Sequence, residues 1–571
     1  MTHSLRNRLF FQSVRIAPWL AMALLIVPVA GGLAGIIGPA FGWLPALDGH
    51  ALGLAPWRTL FRQPGLLDMV GLSLFTALTS SLGALLQVVL LLGALLESRI
   101  FRLIQRLLSP LLAVPHAAAA IGIGFLLTPS GLASRLLSPW LTGWDHPPDY
   151  LFPGDPYGAS LILGLMAKEL PFLLLMSLAA LPQCQAREHL HVARTLGYSS
   201  LTAFLKGVLP NLYPLIRLPV YAVIVFASAT VDVAMILGPS NPTTLAVSVV
   251  RWLNDPDLSR RFMASAAALT QLGVTLTALL IWWLGERLVI KLSSGWLTNG
   301  QRRHADTCLA CLASGLIWFM LTLLGASLLG LILWSLAGYW PFPQAWPWPL
   351  TADNWRSATD NALSLLGQTS LIAVTATLLS LTVVVGCLES EIQYRRRMRP
   401  RSQLILYLPL LVPPVAFLFG LVQLQAQWRL APGWFAVTLG HMLFVLPYVF
   451  LSLSESYRHL DPRWAQVAVS LQASPLEVFW RIRLPLLTVP LLVATAVGFA
   501  VSVGQFLPTL LLGAGRVTTL TTEAVSLAGG GDRRLTAVYA LLQLTLPAIG
   551  FGLAIGLPRL LLRNRRDLQP S

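Results

Sequence analysis

The sequence predicts an all-α polytopic membrane protein, with about twelve transmembrane helices in two parallel six-helix repeats. Three observations carry that expectation. Of the 571 residues 56% are hydrophobic and only 11% charged, with mean hydropathy +0.70, whereas a soluble protein of this size carries about 25% charged residues. Apolar runs long enough to cross about 30 Å of hydrocarbon recur along the chain. These runs are continuously apolar rather than alternating, which argues against a β-barrel.

Taken in order, the expected spans are 17–41, 71–96, 104–128, 158–182, 212–236 and 263–285, then 308–338, 366–388, 404–424, 434–454, 487–512 and 536–558. The first run is too long for a signal core and lacks a small-residue cleavage site, so it reads as a retained helix. Basic residues set the expected orientation. With the N-terminus inside, the cytoplasmic segments hold 26 of the 39 Lys and Arg residues, among them Arg395-Arg396-Arg397 and the tail residues Arg563, Arg565 and Arg566. Both termini are then cytoplasmic. The net charge of +16 follows from this loop bias and is no signal of nucleic-acid binding. Cys308 and Cys311 form a C-x-x-C pair with no second pair and no clustered His, so no metal is expected there. Trp340, Trp346, Trp348 and Trp355 read as an interfacial aromatic belt.

The chain reads as an internal duplication. Leu163-Gly164, Met166 and Leu170-Pro171 match Leu439-Gly440, Met442 and Leu446-Pro447. Leu237-Gly238 and Thr243-Thr244-Leu245 match Leu512-Gly513 and Thr518-Thr519-Leu520, and Leu96-Glu97-Ser98 matches Leu388-Glu389-Ser390. Even span counts put the halves in the same sense, related by an axis along the membrane normal. The expected divisions are a cytoplasmic N-terminus at 1–16, a first half at 17–292, a polar linker at 293–307, a second half at 308–562 and a tail at 563–571.

One polar interruption occurs in both halves: His191 to Pro210 and Gln466 to Pro485. Each copy can form a short helix, a turn and a second helix ended by Leu-Pro. Gly197 supplies the first copy's turn because glycine tolerates positive φ. Pro210 and Pro485 suit a first helical turn. Val192, Leu196, Leu201 and Phe204 are expected to form one apolar ridge for a partner's groove.

The spacing of these loops resembles the E-A-A-x-x-x-G-x9-I-x-L-P loop of binding-protein-dependent ABC importer permeases. The first copy matches at Ala193, Gly197 and Leu209-Pro210, with His191, Val192 and Gly207 replacing the usual residues. The second matches at Ala468, Ile482 and Leu484-Pro485, with Gln466, Val467 and Gln472 as departures. Gln505 to Thr509, Thr518 to Glu523 and Gly530 to Arg534 resemble the YnjC-type inner-membrane permeases. The whole chain is similar to fused permeases of thiamine and ferric-iron importers. The resemblance implies a type I, MetI-like permease fold in the bacterial inner membrane. It also implies a periplasmic binding protein and two copies of a separate ATPase, one on each loop, with the halves rocking about a central pathway.

An ATPase partner is required under this reading. Lys168, Lys206 and Lys291 are the chain's three lysines, and none follows a glycine, so there is no Walker A motif. The chain is therefore expected to be no enzyme and to need no cofactor. Lys168, Glu169, Asp232, Gln505 and Glu523 are expected pathway candidates, because intramembrane polar groups usually face a cavity or a partner. Lys168 and Glu169 are sequence neighbours and point about 100° apart on a helix. A secondary active transporter with two six-helix repeats is the alternative, but it has no use for the repeated loop.

Overall fold

Prolines stand at the breaks in the third apolar run of each half. The computed structural model describes residues 2–96, 98–111, 113–300, 302, 306–395 and 405–561. Arg396, Arg397, the tail residues Arg563, Arg565 and Arg566, Glu97 and part of the linker lie outside the described residues. The fold is all-α, with a two-residue strand pair (Trp43–Leu44 with Gly49–His50) in one loop.

Among the described residues, ten helices are long and apolar enough to cross a membrane, or eleven with a pair bent by 74° counted as one. The shortfall against twelve arises in the third span of the second half. The expected span 404–424 is a fourteen-residue helix, Pro414–Gln427, about 21 Å long at 1.5 Å per residue. Its first-half counterpart, expected at 104–128, is two pieces, Arg99–Leu111 and His116–Leu127. Pro115 and Pro413 stand extended immediately before these helices. Proline lacks an N–H and disfavours helix in the residue before it, which favours a helix start at these positions.

The expected spans 212–236 and 487–512 are also interrupted. Leu209–Ala229 stops at Thr230, and a short helix, Asp232–Leu237, follows. Thr488–Val503 stops at Gly504, and Leu507–Gly513 follows. A second short helix comes next in each half, Leu245–Leu253 and Leu520–Ala528. The duplication extends to their packing. A leucine at the end of each first short helix, the last residue in one and the last but one in the other, fills the space over a span glycine: Leu237 over Gly164 and Leu512 over Gly440. The first N–H of each second short helix is held by a hydroxyl from the half's second span. Ser73 Oγ accepts from Leu245 N at 3.0 Å, and Thr369 Oγ1 accepts from Leu520 N at 3.0 Å.

The halves exchange their first helices. Thr2–Ala40 packs on Pro414–Gln427 and Asp353–Gln393 of the second half. A Cβ at Gly420 would lie 1.6 Å from the Gly32 carbonyl oxygen, and one at Gly32 would lie 2.1 Å from that of Phe417. Asp306–Ser335 packs in turn on His116–Leu127 and Leu66–Leu95 of the first half, with Gly122 against Ser327. Lipid offers no hydrophobic drive between helices, so such small-residue contacts supply the association. One core cluster accordingly contains residues from both halves, Ile121 and Phe417 among them.

Candidate functional site

The two polar interruptions fold alike. In the first, Ala186–Thr195 is a helix, Gly197 turns the chain at φ +83°, and Ser200–Ala203 leads into a π-helical turn, Phe204–Val208. In the second, Pro462–Ser470 is followed by Gln472 at φ +64°, Pro475–Val478 and a π-helical turn, Phe479–Arg483. Phe204 and Phe479 are 275 positions apart. In each copy the residue before the closing proline donates its N–H five residues back, Leu209 to Phe204 and Leu484 to Phe479. Proline cannot donate and its ring crowds the carbonyl four residues back; the wider turn relieves both. Gln472 occupies the left-handed position that Gly197 fills without strain. A capping box, with Ser474 and Glu477 satisfying each other's backbone N–H, fixes the helix after it.

The expected ridge is only partly on the surface. Val192 and Leu196 are exposed, but Leu201 and Phe204, beyond the Gly197 turn, are buried against the first half's spans, both over Gly93. In the second copy Trp464, Val467 and Leu471 are 59%, 57% and 77% exposed. Their i, i+3, i+7 spacing puts them on one helix face. His191 and Gln466 are exposed beside these faces, Ala193 is half-buried and Ala468 buried. Ile482, Leu484, Pro485 and Leu209 are half-buried, and Pro210 is exposed.

Both loops are braced against spans, by different chemistry. In the first, Lys206 Nζ donates to Asn299 O and Oδ1 at 2.7 and 3.0 Å and sits over the Trp296 ring, so it grips the end of Arg260–Thr298. Nearby, Glu286 on that helix pairs with Arg217 at 2.6 Å and accepts from Tyr213 and Tyr221. In the second, Arg483 ion-pairs with Glu389, which is 1% exposed. Tyr457 Oη donates to the same carboxylate at 2.6 Å and Gln393 Nε2 at 2.8 Å. Three elements thereby meet at one charge: the π-turn, the end of Asp353–Gln393 and the end of Trp434–Arg458. Arg458 adds a bidentate pair with Glu391, both bonds 2.9 Å. The sequence pointed to Glu389 only as a repeat match; its buried partner is 94 positions away and has no local signal.

The far end of the molecule holds a cavity of about 400 Å³ between the short helices of the two halves. Its walls pair across the duplication: Val247 with Thr522, Val250 with Val525 and Arg251 with Ser526, each 275 positions apart. The cavity therefore lies where the two halves meet about their common axis.

Lys168, Glu169, Asp232, Gln505 and Glu523 stand apart from its lining. Lys168 Nζ donates to the Val114 carbonyl at 2.6 Å, satisfying backbone at the Pro115 break. Glu169 is buried beside Ser80. Asp232 accepts from Thr230 at 3.0 Å, Gln505 donates to Val501 O at 3.3 Å, and Glu523 is half-buried in Leu520–Ala528. The structure does not bring the five together.

Two buried groups escaped the sequence reading. His441 is 1% exposed and hydrogen-bonds Ser502 at 2.7 Å and Thr509 at 2.8 Å, spanning the Gly504 break. Arg135 donates to the carbonyls of Ser130, Pro341 and Trp340 and lies 4.5 Å from the Trp340 ring. Trp340 is therefore buried in a clamp between halves rather than in an aromatic belt, while Trp346 and Trp348 are exposed. Cys308 and Cys311 are free and exposed, and no group of three metal-ligating side chains occurs among the described residues.

Comparison with known proteins agrees with this architecture. Residues 382–557 match the family described as binding-protein-dependent transport system inner membrane component. The chain is 30% identical over 539 residues, 94% of each chain, to the inner membrane ABC transporter permease protein YnjC of Escherichia coli. It is 30% identical over 186 residues to the molybdenum transport system permease protein ModB of Mycobacterium tuberculosis, covering 30% of this chain and 68% of that one. With the spermidine/putrescine transport system permease protein PotC of Haemophilus influenzae it shares 27% over 143 residues, 24% of this chain and 55% of that one. These relatives are transport subunits rather than enzymes, and the chain belongs with them to the inner-membrane permeases of binding-protein-dependent ABC transport systems.

Proposed function

We propose that this chain is a fused two-half permease of an ATP-driven importer and that its two braced loops are docking sites for two copies of a separate ATPase. The observation that carries the reading is the repeated helix–turn–π-turn unit with exposed apolar faces at Val192 and Leu196 and at Trp464, Val467 and Leu471. Such faces suit a groove on a partner. The ring contact of Phe10 with Phe479 puts the start of the first helix beside the second loop. The basic-residue bias then makes that side cytoplasmic, with both termini, and the opposite side periplasmic, where a binding protein delivers substrate. The domain limits at 17–292 and 308–562 describe the two permease halves.

In this account ATP-driven closure of the partners draws the loops together. The Lys206–Asn299 and Glu389–Arg483 braces pass that displacement to the spans. For the substrate, the resemblance puts forward a thiamine-like compound or ferric iron. In this reading Lys168, Glu169, Asp232, Gln505 and Glu523 are candidates for lining the pathway away from the cavity, since none is among the residues that line it. Chain tagged and made together with an ATPase encoded beside it should retain that ATPase on purification. Val467→Asp with Leu471→Asp, combined with Val192→Asp and Leu196→Asp, should abolish retention, and His191→Glu with Gln466→Glu should strengthen it. Full retention by the four-Asp variant would refute docking through these faces.

A further inference from the structure

A single charged residue, Arg251, is among those lining the cavity between the halves. Leu209–Ala229 has twenty-one residues, about 31 Å at 1.5 Å per residue, so the short helices beyond it stand at the membrane face opposite the loops. A path shared by two equivalent halves runs along their common axis, and the cavity on that axis is its far mouth. Val247, Val250, Val525 and Phe506 make the walls largely apolar, and Arg251 is the charged residue among those that line it. Thr522, Ser526 and Asn254 add neutral polar groups. The Arg251 guanidinium donates to the Ser240 carbonyl at 3.3 Å, a neutral partner, and the side chain is exposed. The neighbouring carboxylates are not among the lining residues. Asp255 pairs with Arg260 at 3.0 Å, Asp257 accepts from Ser259 N at 3.0 Å, and Glu523 is half-buried on the helix that supplies Thr522 and Ser526.

We propose that this mouth is an anion-accepting site, with Arg251 as its charge-selecting residue, for a small ligand bearing an oxyanion group. The proposal rests on the permease reading above and sharpens it. A volume of about 400 Å³ holds a small organic molecule, and a cleft with low-dielectric walls and one sign of charge concentrates counter-ions by roughly tenfold or more. A free thiamine-like cation or bare ferric ion meets repulsion here, whereas an anion, or a complex of either with a net negative charge, is drawn in.

The test reads the local potential and needs no knowledge of the natural ligand. The full chain, with its four cysteines changed to Ser, carries Ser526→Cys in the cavity or Leu151→Cys on an exposed far-side loop. Each is reacted in proteoliposomes with methanethiosulfonates bearing an anionic sulfonate or a cationic trimethylammonium. The anionic-to-cationic rate ratio at position 526 should exceed that at 151 by about tenfold. It should collapse in Arg251→Gln, persist in Arg251→Lys, and shrink in 0.5 M salt as the screening length shortens. The salt series uses the chain with Arg251 intact, so it stands even where Arg251→Gln assembles poorly. A ratio at 526 equal to or below that at 151, or one that Arg251→Gln leaves unchanged, would overturn the proposal. Retention of the ATPase is untouched by Arg251→Gln, so failure of this assay and failure of the docking reading are separate results.

Discussion

Removing one charge of the Glu389–Arg483 pair should cost far more than removing both. Glu389 is 1% exposed and the Arg483 side chain 12% exposed, so neither is well hydrated once its partner is gone. In Arg483→Met the carboxylate keeps Tyr457 and Gln393 as donors but loses its counter-charge. An uncompensated buried charge of this kind costs about 3–5 kcal/mol. Glu389→Gln leaves a guanidinium that is still partly hydrated, and about 2 kcal/mol is expected. The double variant Glu389→Gln with Arg483→Met removes both charges and leaves an amide oxygen to accept from Tyr457, so its cost should fall to about 1 kcal/mol. The assay is a double-mutant cycle of unfolding free energies from dodecyl sulfate titration in mixed micelles. The double variant should be more stable than Arg483→Met alone. A double variant whose cost equals the sum of the single ones, or an Arg483→Met cost below about 1 kcal/mol, would show that the two groups do not share one buried site.

Three further outcomes follow from particular contacts. Gly420→Val should lower stability by about 3 kcal/mol or more, because its Cβ would lie 1.6 Å from the Gly32 carbonyl oxygen; the melting temperature of purified protein reads this directly. Lys168→Met should cost about 1–3 kcal/mol by stripping the Val114 carbonyl of its donor, seen as faster amide exchange around the Pro115 break. Gln472→Gly should stabilise the second loop by about 1 kcal/mol, since Gln472 sits at φ +64° where the first copy has glycine. Slower amide exchange across residues 462–478 would register the gain.

The fold class and the two loops were legible because their signals are local. Apolar run length needs no partner, and the loop unit repeats at one spacing with a proline closing each copy. The breaks were half legible: Pro115 and Pro413 are visible in sequence, but the Thr230 and Gly504 interruptions are marked by no proline, and the short helices beyond them pack over Gly164 and Gly440 on distant spans. The exchange of first helices was not legible, since an apolar helix with small residues carries no record of which half it will meet. Gly32 and Gly420 are nearly four hundred positions apart, and only the packed bundle joins them. The same holds for the sites. Arg135 carries no sequence signal of its role, yet it is buried among carbonyls and rings from the other half. The ridge drawn through Leu201 and Phe204 placed residues on both sides of the Gly197 turn on one face, whereas beyond that turn both side chains pack inward.

The docking account stands most directly on a count. Native mass spectrometry of the chain purified with its ATPase should show two ATPase copies per chain. Val467→Asp with Leu471→Asp should leave one copy, held by the first loop, and Val192→Asp with Leu196→Asp should leave one held by the second. A complex with one ATPase in the unaltered chain, or two copies kept when both loops are altered, would contradict it.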